Sequence, residues 1–144
     1  MPNTHTVFVY GTLRRGQSNH LLLESSPHLG DTRVRGRMFS LGAYPAITLR
    51  ADPNDSVYVE AYRVTDKTLA ELDRLEGHPT FYTRMLTFDV FREMHGYIYV
   101  MEGDSHYLDK AEEIKSGDWV RWKKGIQEIW LVSQPILSLS IQRR

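Results

Sequence analysis

Residues 56–77 read SVYVEAYRVTDKTLAELDRLEG, and a period of two gives way there to a period near 3.6. Val57, Val59, Ala61 and Arg63 alternate with Tyr58, Glu60, Tyr62 and Val64, which is the pattern of a strand. From Thr65 to Glu76 the leucines fall at 69, 72 and 75, and the pattern becomes that of a helix. Thr65, Asp66 and Thr68 are candidates for its cap, Thr68 to Glu71 has the spacing of a capping box, and Gly77 marks the stop. Working outward, Thr6–Tyr10 reads as a strand ending at Gly11, and Asn19–Glu24 as a short helix. TRVRGRMFSLG, residues 32–42, reads as a strand bending at Gly36, and GAYPAI, residues 42–47, as a turn around Pro45. Tyr82–Phe91 and Gly96–Met101 read as two more strands, and SGDWVRW, residues 116–122, as another strand or a turn into one. Strands outnumber helices, and several connections are too short for a helical crossover. The expected class is therefore α+β, with a mixed or largely antiparallel sheet curled around a cleft.

The 144 residues suit one domain with a proper core. Eighteen basic side chains balance eighteen acidic ones, which argues against a dedicated nucleic-acid binder, because such proteins need a basic face to displace counterions. The local clusters Arg14-Arg15 and Arg33, Arg35, Arg37 read as exposed arginines, alternating on a strand face. The absence of cysteine excludes disulfides and thiolate chemistry and suits a reducing cytosol. Apolar runs stop at four or five residues, far short of the ~20 a membrane helix needs, and MPNTHT lacks the order of a signal peptide. The expectation is a cytoplasmic protein with no membrane or nucleic-acid partner. The histidines show no metal-ligand spacing, so no metal is expected.

FVYGTLRRGQSNH, residues 8–20, matches the phosphate loop G-x-x-x-x-G-K-[ST] everywhere except at the lysine, where Gln17 stands. That lysine carries the charge that meets the β and γ phosphates. Without it, the stretch reads as a strand, a glycine turn with free N–H groups and a helix start, a cradle for some other anion or oxyanion.

On the helix, at about 100° per residue, Glu71 and Asp73 lie about 100° from the centre of the leucine stripe and Glu76 only about 40°. Glu76 alone among the three points inward. Two readings follow. Glu76 sits exposed in a frayed last turn, or paired with Arg74 or Arg84. Alternatively, burial and the negative helix end raise its pKa toward that of a general base. Phe81 and Tyr82 follow it and are candidates for core or for a pocket wall.

VFVYGTLRRGQSNH, FSLGAYPAI, VYVEAYRV, LDRLEGHPTFYTR, GYIYV and SGDW together resemble the γ-glutamylcyclotransferases in the broad sense, from about Val7 to Trp122. The resemblance implies a small, mixed β-barrel-like sheet with flanking helices and a cofactor-free enzyme. Its substrate would be a small γ-glutamyl compound, cyclised to 5-oxoproline with release of an amine. Tyr10, Gly11, Thr12 and Leu13 match the loop that binds the glutamyl head, Glu76 matches the catalytic acid/base, and Tyr82 matches a tyrosine lining the same pocket. The anion awaited by the glycine turn would then be a glutamyl carboxylate or a developing oxyanion. Residues 1–124 would form the family domain and 125–144 an extension, whose LSLSI alternation suits an added strand or an oligomer contact. The oligomeric state is left open.

Overall fold

The computed structural model describes residues 3–102 and 106–132. Eight strands and three helices follow in chain order: β1 (Thr4–Val9), β2 (His28–Arg35), β3 (Arg37–Ser40), β4 (Pro45–Thr48), β5 (Ser56–Thr65), α1 (Asp66–Glu76), β6 (Thr83–Phe88), β7 (His95–Val100), α2 (His106–Asp109), β8 (Glu112–Glu113) and α3 (Trp119–Val132). A 3₁₀ turn at His20–Leu23 follows the glycine loop. Strands β2-β5-β1-β7-β6 form a five-stranded sheet, and β4-β3-β8 form a smaller one. Pairing is antiparallel except between β1 and β7, which run parallel with Val7 opposite Tyr97. The class is α+β, as the sequence implies.

β1 is the central strand and is buried on both faces, which explains why its end reads VFVY without alternation. Val7 and Val9 join one core cluster with Leu23, Leu69 and Leu72, while Phe8 and Tyr10 join a second with Val57, Val59 and Trp119. The first cluster seats α1 and the 3₁₀ turn on the sheet. The large sheet curls until its two edges meet at a single bridge, Val34 to Asp89, so it resembles a barrel without closing as one. Asp89 secures that meeting: its carboxylate accepts hydrogen bonds from the Thr32 hydroxyl and from the Glu93 and Met94 N–H groups.

Three expectations change. Pro45 begins strand β4, which pairs with β3; the turn is residues 41–44, closed by the Leu41 N–H donating to the Tyr44 carbonyl at 2.9 Å. Proline is tolerated there because it is the first residue of its strand. SGDW turns into a helix instead of a strand, because the Asp118 side chain accepts the Arg121 N–H at 3.2 Å and caps α3. Arg14 is 7% exposed, held by carboxylates and not displayed on a strand face. Residues 125–132 continue α3, and LSLSI lies outside the described residues.

Candidate functional site

Helix α1 begins where the Thr68 N–H donates to the Thr65 hydroxyl at 3.2 Å, so Thr65 is the cap. It ends in a left-handed glycine, Gly77 at φ 67°. The Gly77 N–H returns to the Arg74 carbonyl and the His78 N–H to the Asp73 carbonyl, a Schellman closure that only a residue without Cβ enters at little cost. The stop places Glu76, the last helical residue, at the wall of a cleft of about 290 Å³.

All six residues expected at the site line that cleft: Tyr10, Gly11, Thr12, Leu13, Glu76 and Tyr82. The cleft opens between the end of β1, the start of β4 and the end of α1. Gly11 is required by close approach, since a Cβ there would stand 2.8 Å from the Pro45 ring. Among the described residues, the backbone N–H groups of Gly11, Thr12 and Leu13 have no acceptor in the protein. Three unpaired donors in one half-buried turn are costly unless something else accepts from them.

The Glu76 side chain is half-buried and has no hydrogen bond or ion pair among the described residues. Burial alone pushes its pKa up from the ordinary 4.5 to about 7. Neither arginine that might have neutralised it does so. Arg84 grips Asp73 instead, at 2.9 and 3.1 Å, and Arg74 forms no ion pair with Glu76.

Tyrosines surround the carboxyl. The Tyr82 hydroxyl donates to the Pro45 carbonyl at 2.7 Å, and the Tyr10 hydroxyl to the Tyr99 carbonyl at 2.6 Å. Burial first, with the neighbouring Glu76 adding to it, holds the Tyr82 phenol well above the ordinary tyrosine range. These phenols are therefore fixed donors, not acids.

The loop itself is anchored from behind. The Arg14 guanidinium donates to Glu60 at 3.2 Å and to Asp118 at 2.8 Å, and Glu60 also accepts the Arg15 N–H and the Tyr62 hydroxyl. Gln17, standing where a phosphate loop has lysine, accepts from Lys123 at 2.8 Å and does not line the cleft.

A family model described as γ-glutamyl cyclotransferase, AIG2-like, matches residues 7–121. The chain belongs to this family. Among the cyclotransferase relatives, the Escherichia coli family protein YtfP is 34% identical over 115 residues, spanning 79% of this chain and 95% of its own. A Vibrio cholerae protein, whose γ-glutamylcyclotransferase name is itself an inferred one, is 42% identical over 117 residues, 80% of this chain and 95% of its own. The solution structure of E. coli YtfP superposes with a TM-score of 0.62 at 33% identity, covering 82% of this chain and 98% of that one. The crystal structure of an AIG2-like protein from mouse, 21% identical, superposes with a TM-score of 0.67 over 78% of this chain and 87% of that one, a likeness of fold.

For this cyclotransferase-family chain, sequence reasoning missed Tyr99, Tyr44 and Asn19, which also line the cleft, and the Arg14–Glu60 anchor behind the loop. Glu60 carried a weak signal, the single acidic residue of the strand Ser56–Thr65. Tyr99 and Asn19 carried none, since both are ordinary in their local patterns. Among the described residues, no helix is long and apolar enough to cross a membrane.

Proposed function

We propose that this protein cyclises a γ-glutamyl compound to 5-oxoproline and releases a free amine, with Glu76 as acid and base. The observation that carries the reading is an unpartnered carboxyl with a pKa near 7 sharing a cleft with three unpaired N–H groups of the Gly11–Leu13 turn.

Glu76, ionised, accepts a proton from the α-ammonium group of the substrate. The freed amine attacks the γ-carbonyl of the same molecule, forming the new ring C–N bond. Because the attack is intramolecular, holding the glutamyl chain folded supplies much of the rate through proximity. The turn N–H groups offer donors to the α-carboxylate or to the oxyanion of the tetrahedral intermediate, charges that water would otherwise solvate. Protonated Glu76 returns its proton to the departing nitrogen as the original amide bond breaks. Atoms balance without a co-reactant: the attacking nitrogen sheds a second proton as it becomes the lactam N–H, the amine leaves carrying it as an ammonium, and one γ-glutamyl amide becomes one lactam and one protonated amine. At neutral pH a carboxyl at pKa 4.5 would be a weak base toward the α-ammonium group and one far above 7 would rest protonated, so a value near 7 serves both halves.

The test is to incubate the purified protein with a panel of γ-glutamyl compounds and measure 5-oxoproline, with Nα-acetylated analogues as controls. The expected result is release from at least one free compound and none from its blocked counterpart. Saturable binding across the panel with no release would instead identify a non-catalytic binder of glutamyl-like molecules.

A further inference from the structure

Each carbonyl of the Gly11–Leu13 turn is tied down. The Gly11 carbonyl accepts the Arg14 N–H at 3.0 Å and the Thr12 carbonyl the Asn19 N–H at 2.8 Å, while the Leu13 carbonyl accepts from the His20 imidazole Nδ1 at 2.8 Å. In a trans peptide the carbonyl and the N–H lie on opposite sides, so fixing a carbonyl also aims the N–H of the same peptide. The first bond closes a four-residue turn over 11–14 and aims the Thr12 N–H. The second aims the Leu13 N–H. The third comes from a side chain and fixes the Leu13–Arg14 peptide, whose N–H is the one that closes the turn.

A carbonyl only accepts, so the His20 Nδ1 carries the proton. That N–H is present in the neutral Nδ1–H tautomer and in the imidazolium alike. The ring is half-buried and lies against Tyr62, with centroids 5.7 Å apart. The preceding residue reaches the same way. Asn19 stands at the N-cap of the 3₁₀ turn, where a side-chain oxygen would ordinarily cap, yet it makes no cap bond. Its Nδ2 donates back to the Thr12 hydroxyl at 2.9 Å. The mount for both is firm, because Leu23 in the same 3₁₀ turn is 1% exposed and packs with Val7 and Leu72.

We infer that His20 is a positioning residue of the cleft: its Nδ1–H holds the Leu13 carbonyl away and thereby keeps the N–H groups of the turn aimed at the glutamyl anion. The inference rests on the reading of this turn as the glutamyl cradle. Without that donor the Leu13 carbonyl loses its partner and the peptide is free to rotate, which releases the Arg14 N–H from the Gly11 carbonyl and loosens the cradle. Donors that must be ordered by the ligand bind it less tightly than donors already in place.

The experiment compares His20→Asn, His20→Phe and His20→Leu with the wild type. The Asn amide Nδ2 stands close to the place of the imidazole Nδ1, so His20→Asn keeps the donor and loses the ring. His20→Phe keeps a ring against Tyr62 and loses the donor, and His20→Leu loses both. The readouts are the Kd of 5-oxoproline by titration calorimetry, kcat and KM for 5-oxoproline release from the γ-glutamyl panel, and the melting temperature. His20→Phe and His20→Leu are expected to weaken 5-oxoproline binding and lower kcat/KM about tenfold, the scale of one well-placed hydrogen bond, and His20→Asn should recover most of both. Melting temperatures should follow the ring instead, with His20→Phe nearest the wild type, so the variants rank differently in binding and in stability. Binding and rate that rank with the melting temperatures, with His20→Asn as poor as His20→Leu, overturn the inference and leave His20 as packing for Tyr62. A His20→Leu protein with wild-type Kd and kcat/KM overturns it too. If His20→Phe does not fold, His20→Asn against His20→Leu, both without a ring, decides the same question. A wild type that binds 5-oxoproline but releases none from the panel overturns the cyclotransferase reading, and the order of Kd values then decides the inference alone. A wild type that neither binds nor releases it overturns both.

Discussion

Two glutamates, sixteen residues apart in sequence, one buried and one half-buried, end in opposite electrostatic states. Glu60, 2% exposed in the middle of β5, pays a desolvation cost that pushes its pKa up. The Arg15 N–H, the Tyr62 hydroxyl and the Arg14 guanidinium together outweigh it and hold the carboxylate below its ordinary range. Nothing opposes the desolvation of Glu76, and its pKa rises to about 7. Burial pushes both carboxyls up, and partners decide which of them stays charged. The first glutamate is a permanent anion that ties the glycine loop to the sheet. The second is left able to exchange a proton at neutral pH, which a reactive group needs and a structural one does not.

Replacing Glu76 by Gln attacks the member proposed as acid and base and should have the largest effect. Turnover is expected to fall by roughly a hundredfold or more, the usual scale for a general acid or base. Stability should move the other way. Between the unfolded pKa of 4.5 and the folded value of about 7 the native state binds the extra proton, so the stability this group contributes is present below pH 4.5 and is lost as pH rises through 7. Gln carries no such cost. Glu76→Gln should therefore melt several degrees above the wild type at pH 8 and close to it at pH 4.5, by calorimetry at both values. A lower melting temperature at pH 8 would mean that Glu76 has a stabilising partner after all.

Glu60→Leu attacks the structural member. It leaves Arg14 with Asp118 alone and strands the Arg15 N–H and the Tyr62 hydroxyl, and is expected to cost about 3 kcal/mol in denaturant unfolding, the scale of breaking a buried ion pair. In whatever remains folded, KM should rise more than kcat falls, because the loop loses its anchor while Glu76 keeps its surroundings.

The pH profile sharpens the contrast without mutation. If Glu76 is the base, kcat/KM should fall about tenfold per unit below pH 7, while the wild type remains folded over that range. Glu60 acts on stability in the acid direction: its folded pKa is depressed, so its contribution is present above the ordinary carboxylate value and lost as pH drops. A rate profile that simply tracks the unfolding curve would remove the distinction between the two residues.

Asp73 and Glu71 give the smallest effects and set the scale. Asp73 accepts two bonds from Arg84 and one from the Tyr99 hydroxyl at 2.7 Å, and Tyr99 lines the cleft. Asp73→Asn should cost about 1 kcal/mol and slow turnover a few-fold. Glu71→Gln touches none of this and should stay within about 0.5 kcal/mol of wild type.

The contrast between Asp73 and Glu76 shows how far helix geometry carries. Spacing placed Glu76 nearest the leucine stripe and both other acids well off it; in the fold all three are half-buried, and of the three only Glu76 lines the cleft. Spacing could not tell that Asp73, pointing away from the stripe, meets a strand edge carrying Arg84 and Tyr99. It also left open whether Glu76 would find an arginine, because Arg84 was in reach of either acid. The glycine turn itself was legible, but not its anchor: Arg14 reads as a surface cation until Glu60 and Asp118, 46 and 104 residues away in sequence, arrive beside it. The strand at Pro45 was hidden because a turn residue opens it, and α3 because its cap lies in a Gly-Asp pair that reads equally well as a simple turn.

By itself the sequence determined what depends on neighbours in the chain: the alternating strands, the capped helix ended by Gly77, the inward side of Glu76 and the tight turn at Gly11. Such features are set by periodicity and by backbone conformations that few residues allow. The tertiary structure decided what depends on meetings across long loops. It brought Pro45 against Gly11, brought the two edges of the sheet to a bridge at Val34 and Asp89, and gave Arg84 to Asp73 and Arg14 to Glu60. The pKa of Glu76 belongs to this second kind, because desolvation is set by what surrounds a carboxyl and no local pattern in the chain encodes its surroundings.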